Sequence, residues 1–159
     1  MISASDREPG LSEEEVAIQQ TARRFALEVM RPAGIALDRM QPDQVIADGS
    51  PLIDVHQQYR ELGLNLVELA ADASPLQLAR YNYLVSEELG YGDLGLGWSC
   101  YAATFPAALA QASGNAELQA QFTFDQIGCW GVTEPNHGSD QLDFTGSVSA
   151  PKDGRSDCV

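Results

Sequence analysis

The sequence predicts a mainly α protein: a helical bundle over residues 11–124, then, over 125–159, the first strands of a β domain left incomplete. Three observations predict it. Ser-Glu and Ser-Pro start signals recur ahead of stretches with helical apolar spacing. Alanine and glycine crowd the stretch from Leu94 to Ala112, as in helices packed closely inside a bundle. After Phe124 the texture changes to short β-prone runs, Ile127–Thr133 and Phe144–Ser149, joined by the loop Pro135–Gln141. Two strands seldom hold together alone in water. The expectation is therefore that these residues are part of a larger protein.

Residues 1–10 are polar, contain Pro9 and Gly10, and read as a mobile leader. The first helix starts at Ser12, a cap residue with Glu15 three positions on, and Glu13 and Glu14 favour the positive end of its dipole. Val16, Ala22, Phe25, Val29 and Met30 recur at helical spacing. Arg31-Pro32 interrupts them, which predicts a kink or break, with the helix resuming over Ala33–Met40. Pro42–Gly49 is a connector. Ser50-Pro51 opens a second helix with Leu52, Val55, Tyr59 and Leu62 on one face, ending at Gly63. Leu64–Leu69 is apolar and of open type. Ser74-Pro75 starts a third helix that runs to Leu89 with Leu78, Tyr81, Val85 and Leu89 inward. Asp93 caps a fourth, very apolar helix to about Ala112, and Asn115–Phe122 forms a short fifth.

Composition removes several function classes. At 159 residues the chain suffices for one packed domain, and 44% hydrophobic with 20% charged residues is ordinary for a soluble globular protein. No apolar run approaches the roughly 18–20 residues that span a bilayer, and the N-terminus has no basic region followed by an apolar core. Cys100, Cys129 and Cys158 are an odd count without C-x-x-C spacing, so free thiols in a reducing cytoplasm are expected. The net charge is −14, and no Lys or Arg occurs from Tyr81 to Pro151, where eight acidic residues stand. Nucleic acid and anionic membranes are thereby excluded as partners. The phosphates of a nucleotide-like ligand would need backbone N–H groups, hydroxyls, or basic groups from elsewhere.

Gly90-Tyr91-Gly92-Asp93-Leu94-Gly95 matches G-x-G-x-x-G but follows a helical pattern, whereas a dinucleotide fingerprint follows a buried strand. A helix C-cap glycine and a turn into the next helix is the expectation. His56 has no partner at metal spacing and reads as a solvated or hydrogen-bonded helix histidine; no metal site is expected. His137 sits in the Pro135–Gln141 loop, as a loop tip ahead of a ligand contact. Cys100 and Cys129 lack basic neighbours and read as packing residues. The most informative run is Ile127-Gly-Cys-Trp-Gly-Val-Thr-Glu-Pro-Asn-His-Gly-Ser-Asp140. Thr133, Ser139 and the N–H groups around Gly138 form a small-residue polar loop at a strand end, which suits either a structural turn or a ligand site.

Thr133-Glu134-Pro135 with Gly138-Ser139-Asp140, and Trp130 three positions before the threonine, closely resembles the flavin-binding signature of the acyl-CoA dehydrogenases, T-E-P-x-x-G-S-D. Ala22-Arg23-Arg24-Phe25-Ala26 in the opening helix, and Ser86-Glu87-Glu88-Leu89 through Asp93, are similar to that family as well. Gly128-Cys129-Trp130-Gly131 and Pro135-Asn136 look closest to its glutaryl-CoA-dehydrogenase-like branch. The resemblance covers residue 11 to residue 140 and implies a helical N-terminal domain plus the first strands of a truncated, β-barrel-like middle domain of an FAD enzyme.

It further implies FAD contacts at Trp130, Val132 and Thr133, and at Ser139, which would touch both a flavin phosphate and the pantetheine arm of an acyl-CoA substrate. The implied reaction takes a proton from Cα and a hydride from Cβ of the thioester, with an electron-transfer flavoprotein or other acceptor downstream and a homo- or hetero-oligomeric assembly. The family's glutamate base mostly lies in a C-terminal domain, so no catalytic residue is assigned here and the isolated chain is expected to be inactive. Two departures stand out. Glu68–Ser74 replaces the family's P-E-x-x-G-G turn, and the helix after Asp93 has no arginine to meet a carboxylate-ended acyl group. The rival expectations are a non-catalytic helical subunit pairing with a complete dehydrogenase-like partner, and an oxidase or flavin monooxygenase of the same architecture.

Overall fold

The computed structural model describes residues 10–65, 69, 73–129 and 131, and every regular element among them is helical. In chain order these are α1 (Glu13–Phe25), a π-helical turn (Ala26–Met30), α2 (Arg31–Leu37), α3 (Pro42–Val45), α4 (Pro51–Glu61), α5 (Pro75–Ala103), α6 (Phe105–Ser113) and α7 (Ala116–Gln121). None of them is long and apolar enough to cross a membrane.

Helix α1 begins as its sequence dictates. Ser12 Oγ accepts from the Glu15 N–H at 3.2 Å, and Glu15 Oε2 accepts from the Ser12 N–H at 2.7 Å. Glu15 also receives Arg80 at 2.5 and 3.2 Å, which ties α1 to α5. The predicted break at Arg31-Pro32 does not occur. Instead the helix widens just before it: the Arg31 N–H reaches back five residues to Ala26 O, and Met30 and Arg31 keep right-handed helical angles. A proline ring collides with the carbonyl four residues earlier in an α-helix. The wider turn shifts that carbonyl away, so the chain carries Pro32 without breaking.

Helix α4 follows expectation, with Ser50 Oγ accepting from the Leu52 N–H at 3.2 Å and Gly63 closing it at φ 62°. Val55 and Tyr59 are buried, but Leu62, at the C-cap, is exposed rather than inward. The connector before it holds the single turn α3.

The third and fourth predicted helices meet end to end as α5. Asp93 alone leaves helical angles (φ −158°, ψ 114°), and its Oδ1 accepts from the Leu96 N–H at 2.9 Å. It is the cap the sequence predicts. The expected glycine C-cap before it is not there, because Gly90 and Gly92 are helical and the chain needs only a bend at Asp93. Gly92 serves packing: a Cβ there would lie 2.6 Å from Ala26 O. Likewise a Cβ on Gly34 would lie 2.1 Å from Asp93 Oδ2. The π-helical turn and the bend, two irregular places far apart in sequence, thus dock on each other. Arg31 seals the joint, donating to the Tyr91 and Gly92 carbonyls with its guanidinium 4.8 Å from the Tyr91 ring centre. Those carbonyls belong to a helix end, where they would otherwise lack donors.

The core runs between α1, the π-helical turn, α4 and α5, with Met30, Val55, Leu84 and Cys100 among the fully buried side chains. The fourth predicted helix ends early, at Thr104, because Pro106 lacks the N–H that would continue the ladder. Helix α6 closes at Gly114 (φ 66°), and Asn115 caps α7 through Glu117 and Leu118 N–H groups. The first predicted strand, Ile127–Thr133, is not formed where it is described. Ile127, Gly128, Cys129 and Gly131 have no strand assignment, and the Gly128 N–H donates to Ala103 O at 3.0 Å, at the end of a helix rather than on a neighbouring strand. Residues 1–9, Val132–Thr133 and Phe144–Ser149 lie outside the described residues.

Candidate functional site

The residues that the resemblance assigns to FAD, Trp130, Val132, Thr133 and Ser139, lie outside the described residues, as does His137. What is described is the point from which that run departs. Gly128 is held on Ala103 O, and a Cβ at Gly128 would lie 2.4 Å from Pro106 Cγ. Only a glycine lets the backbone lie so close to the α5–α6 junction.

Two residues before Ala103, Tyr101 forms one end of an apolar groove of about 270 Å³. The bend at Asp93 divides α5 into a first arm, 75–92, and a second arm, 94–103, and the groove lies along both. Asn82, Val85, Ser86, Leu89 and Gly90 line it from the first arm; Leu94, Gly97, Trp98 and Tyr101 from the second; Tyr59 and Leu64 close its inner side. The spacing on each arm is three or four residues, one helical face. Gly97 allows the arms to approach, since a Cβ there would sit 3.3 Å from Leu89 Cβ.

Polar groups at the groove are engaged with one another. The Ser86 hydroxyl donates to Asn82 Oδ1 at 3.1 Å and the Tyr59 hydroxyl to Leu64 O at 3.3 Å. Among the described residues, none that lines it is charged. Trp98 is 57% exposed and Leu94 73%, an unusual outlay of apolar surface on a rim. Trp98 packs against Tyr101 (5.6 Å between centres), and Tyr101 meets Phe105 edge-on at 4.9 Å. The groove can therefore hold a hydrocarbon chain, and its described lining residues offer no acid or cation to react with one.

The titratable groups nearby are spoken for. Glu88, fully buried, accepts from Arg23 at 2.9 and 2.6 Å and from Gln19 at 3.3 Å. His56 is the hydrogen-bonded helix histidine that its sequence context predicts, with Nε2 3.0 Å from Ser99 Oγ. Burial, and secondarily the Arg60 charge, hold its pKa below the usual 6.5. The Cys100 thiol is pushed up to about 12 by burial and is a packing residue as expected; Cys129 is exposed. Among the described residues no group of three potential metal ligands comes together.

The His56 shift has a measurable consequence. Unfolded chains take up this proton near pH 6.5 while the fold resists it, so the unfolded state holds more protons just below that pH. The stability His56 contributes is then complete above pH 6.5 and is lost as the pH falls beneath it. Urea midpoints measured from pH 7.5 to 5 should decline more steeply in the native sequence than in His56→Gln; equal slopes would refute the assignment.

The groove was the part that sequence reading missed. Its signal was present in the apolar residues at 94, 98 and 101, which alternate with Gly95 and Gly97 and were read only as bundle packing. No known protein family, curated protein or solved structure matches this chain.

Proposed function

We propose that these residues form the N-terminal part of an FAD-dependent acyl-CoA dehydrogenase, contributing the wall of an acyl groove and the run that contacts the flavin. The observation that carries the reading is the uncharged groove ending at Tyr101, two residues from the carbonyl that anchors Gly128. A hydrocarbon site and the approach to the T-E-P-x-x-G-S-D run thereby share one stretch of helix. Bound FAD would accept the hydride from the thioester's β-carbon. The Thr133 hydroxyl and neighbouring N–H groups would hold the ring through neutral donors, and Ser139 would meet phosphate and pantetheine, in keeping with a segment free of Lys and Arg. An electron-transfer flavoprotein or other acceptor, an oligomeric assembly and a cytoplasmic location complete the proposal.

The groove refines the expected substrate. The glutaryl-like branch would need a cation for its second carboxylate, and the described lining residues provide none. Burying an unpaired carboxylate is costly, so an uncharged acyl group is the better fit.

The reading is tested by titrating FAD with the purified chain and following flavin fluorescence anisotropy. Weak binding is expected, and Thr133→Val should weaken it by up to roughly tenfold, the value of one hydrogen bond. Absence of any anisotropy change in the native sequence would count against a flavin site. The same sample mixed with octanoyl-CoA, FAD and an artificial electron acceptor should show no turnover, since the glutamate base of that family mostly lies in a C-terminal domain; clear turnover would overturn that assignment.

A second reading, a non-catalytic subunit that docks on a dehydrogenase-like partner, is favoured by the exposed Leu94, Trp98 and Leu109. A monomer by light scattering that stays alone during purification would weigh against it.

A further inference from the structure

Glycine is the poorest helix former after proline, so each helical glycine calls for a reason. Gly92, Gly34 and Gly97 have one: a Cβ would strike backbone or side-chain atoms at 2.6, 2.1 and 3.3 Å. Gly90 has none of that kind. Its backbone is helical, with φ outside the left-handed region. Among the described residues a Cβ there would meet only Leu94 Cδ1, at 3.6 Å, an ordinary contact with the end of a flexible side chain. Neither the backbone conformation nor the described packing requires the side chain to be absent. What lies above Gly90 is the groove itself, which it lines between Leu89 and Leu94.

We propose that Gly90 is a specificity-determining position, keeping the groove floor bare so that the hydrocarbon end of an acyl group can lie across it. The proposal rests on the acyl reading of the groove. It adds that length is selected here: any side chain on Gly90 would occupy the space that the distal carbons of a longer chain fill, while a short acyl group would still fit.

The test compares the native chain with Gly90→Ala and Gly90→Leu. Coenzyme A, butyryl-CoA, hexanoyl-CoA and octanoyl-CoA are titrated calorimetrically, with 1-hexanol as a probe that carries no thioester. In the native chain, affinity should rise about fourfold for each methylene that enters the groove. Gly90→Leu should remove that rise beyond butyryl, lowering octanoyl-CoA affinity by tenfold or more while changing butyryl-CoA little. Gly90→Ala should flatten the rise partly and melt about 2–4 °C higher, because alanine favours the helix. That higher melting temperature separates a filled groove from a damaged fold.

Thioesters that bind Gly90→Leu with the native length dependence would overturn the role of Gly90 and leave the acyl reading standing. Thioesters that bind no better than coenzyme A, alongside hexanol binding that Gly90→Leu abolishes, would overturn the acyl reading and keep Gly90 as the groove's gauge. If neither thioesters nor hexanol binds, both fall.

Discussion

Arg23→Met is expected to lower folding stability by about 3 kcal/mol, measurable as a drop in the urea midpoint. The replacement keeps the aliphatic stem and removes the guanidinium from a carboxylate that has no access to water. Glu88 is 0% exposed at its side chain, whereas Arg23 is 33% exposed. Breaking a buried pair typically costs about 3–5 kcal/mol, and the partial exposure of Arg23 places this one at the lower end. Most of that cost is the desolvated carboxylate left behind. Replacing both residues, as Arg23→Met with Glu88→Leu, should therefore recover much of the loss. A double variant no more stable than Arg23→Met would show that shape, not charge, governs this joint.

Gly92→Ala should be the second most damaging change, and the contrast with Gly90→Ala makes it informative. Both positions are helical and two residues apart, and both gain helix propensity from alanine. At Gly92, however, the new methyl would fall 2.6 Å from Ala26 O and 2.8 Å from Ala26 Cα, backbone atoms that cannot turn aside. Overpacking of this kind costs about 1–3 kcal/mol. A thermal melt should drop for Gly92→Ala and rise for Gly90→Ala. Equal or reversed signs would mean that the π-helical turn and the first arm of α5 do not press together as described.

The helical body was legible because its punctuation is local. Ser12 with Glu15, Ser50-Pro51, Ser74-Pro75, Asp93 and Asn115 each satisfy orphan N–H groups within their own turn, so the start of each helix is written in three or four residues. The errors came where the deciding partner is distant. Whether Pro32 breaks a helix depends on the turn before it widening, and that turn is shaped by contact with α5. Whether Gly90 and Gly92 end a helix depends on what stands opposite them. Glu88 and Arg23 were both prominent in the family-like stretches, yet nothing in either stretch says that they face each other across 65 positions. The groove was hidden for a similar reason: an apolar helix face looks the same whether a neighbouring helix or a ligand covers it. The flavin-contact run stands on its motif alone, since Trp130, Val132, Thr133 and Ser139 fall outside the described residues.

The five residues Ala26–Met30 make room for one extra amino acid within a single coil of the rod. Each residue advances an α-helix by about 100°, so that surplus sets the azimuth of everything beyond it. Shortening the coil by one would swing Gly34 away from Asp93 and return the Pro32 ring to the path of the Glu28 carbonyl. Chain length here acts as a phase setting: the molecule can exchange side chains along α1 and α2 far more freely than it can add or drop a link between them.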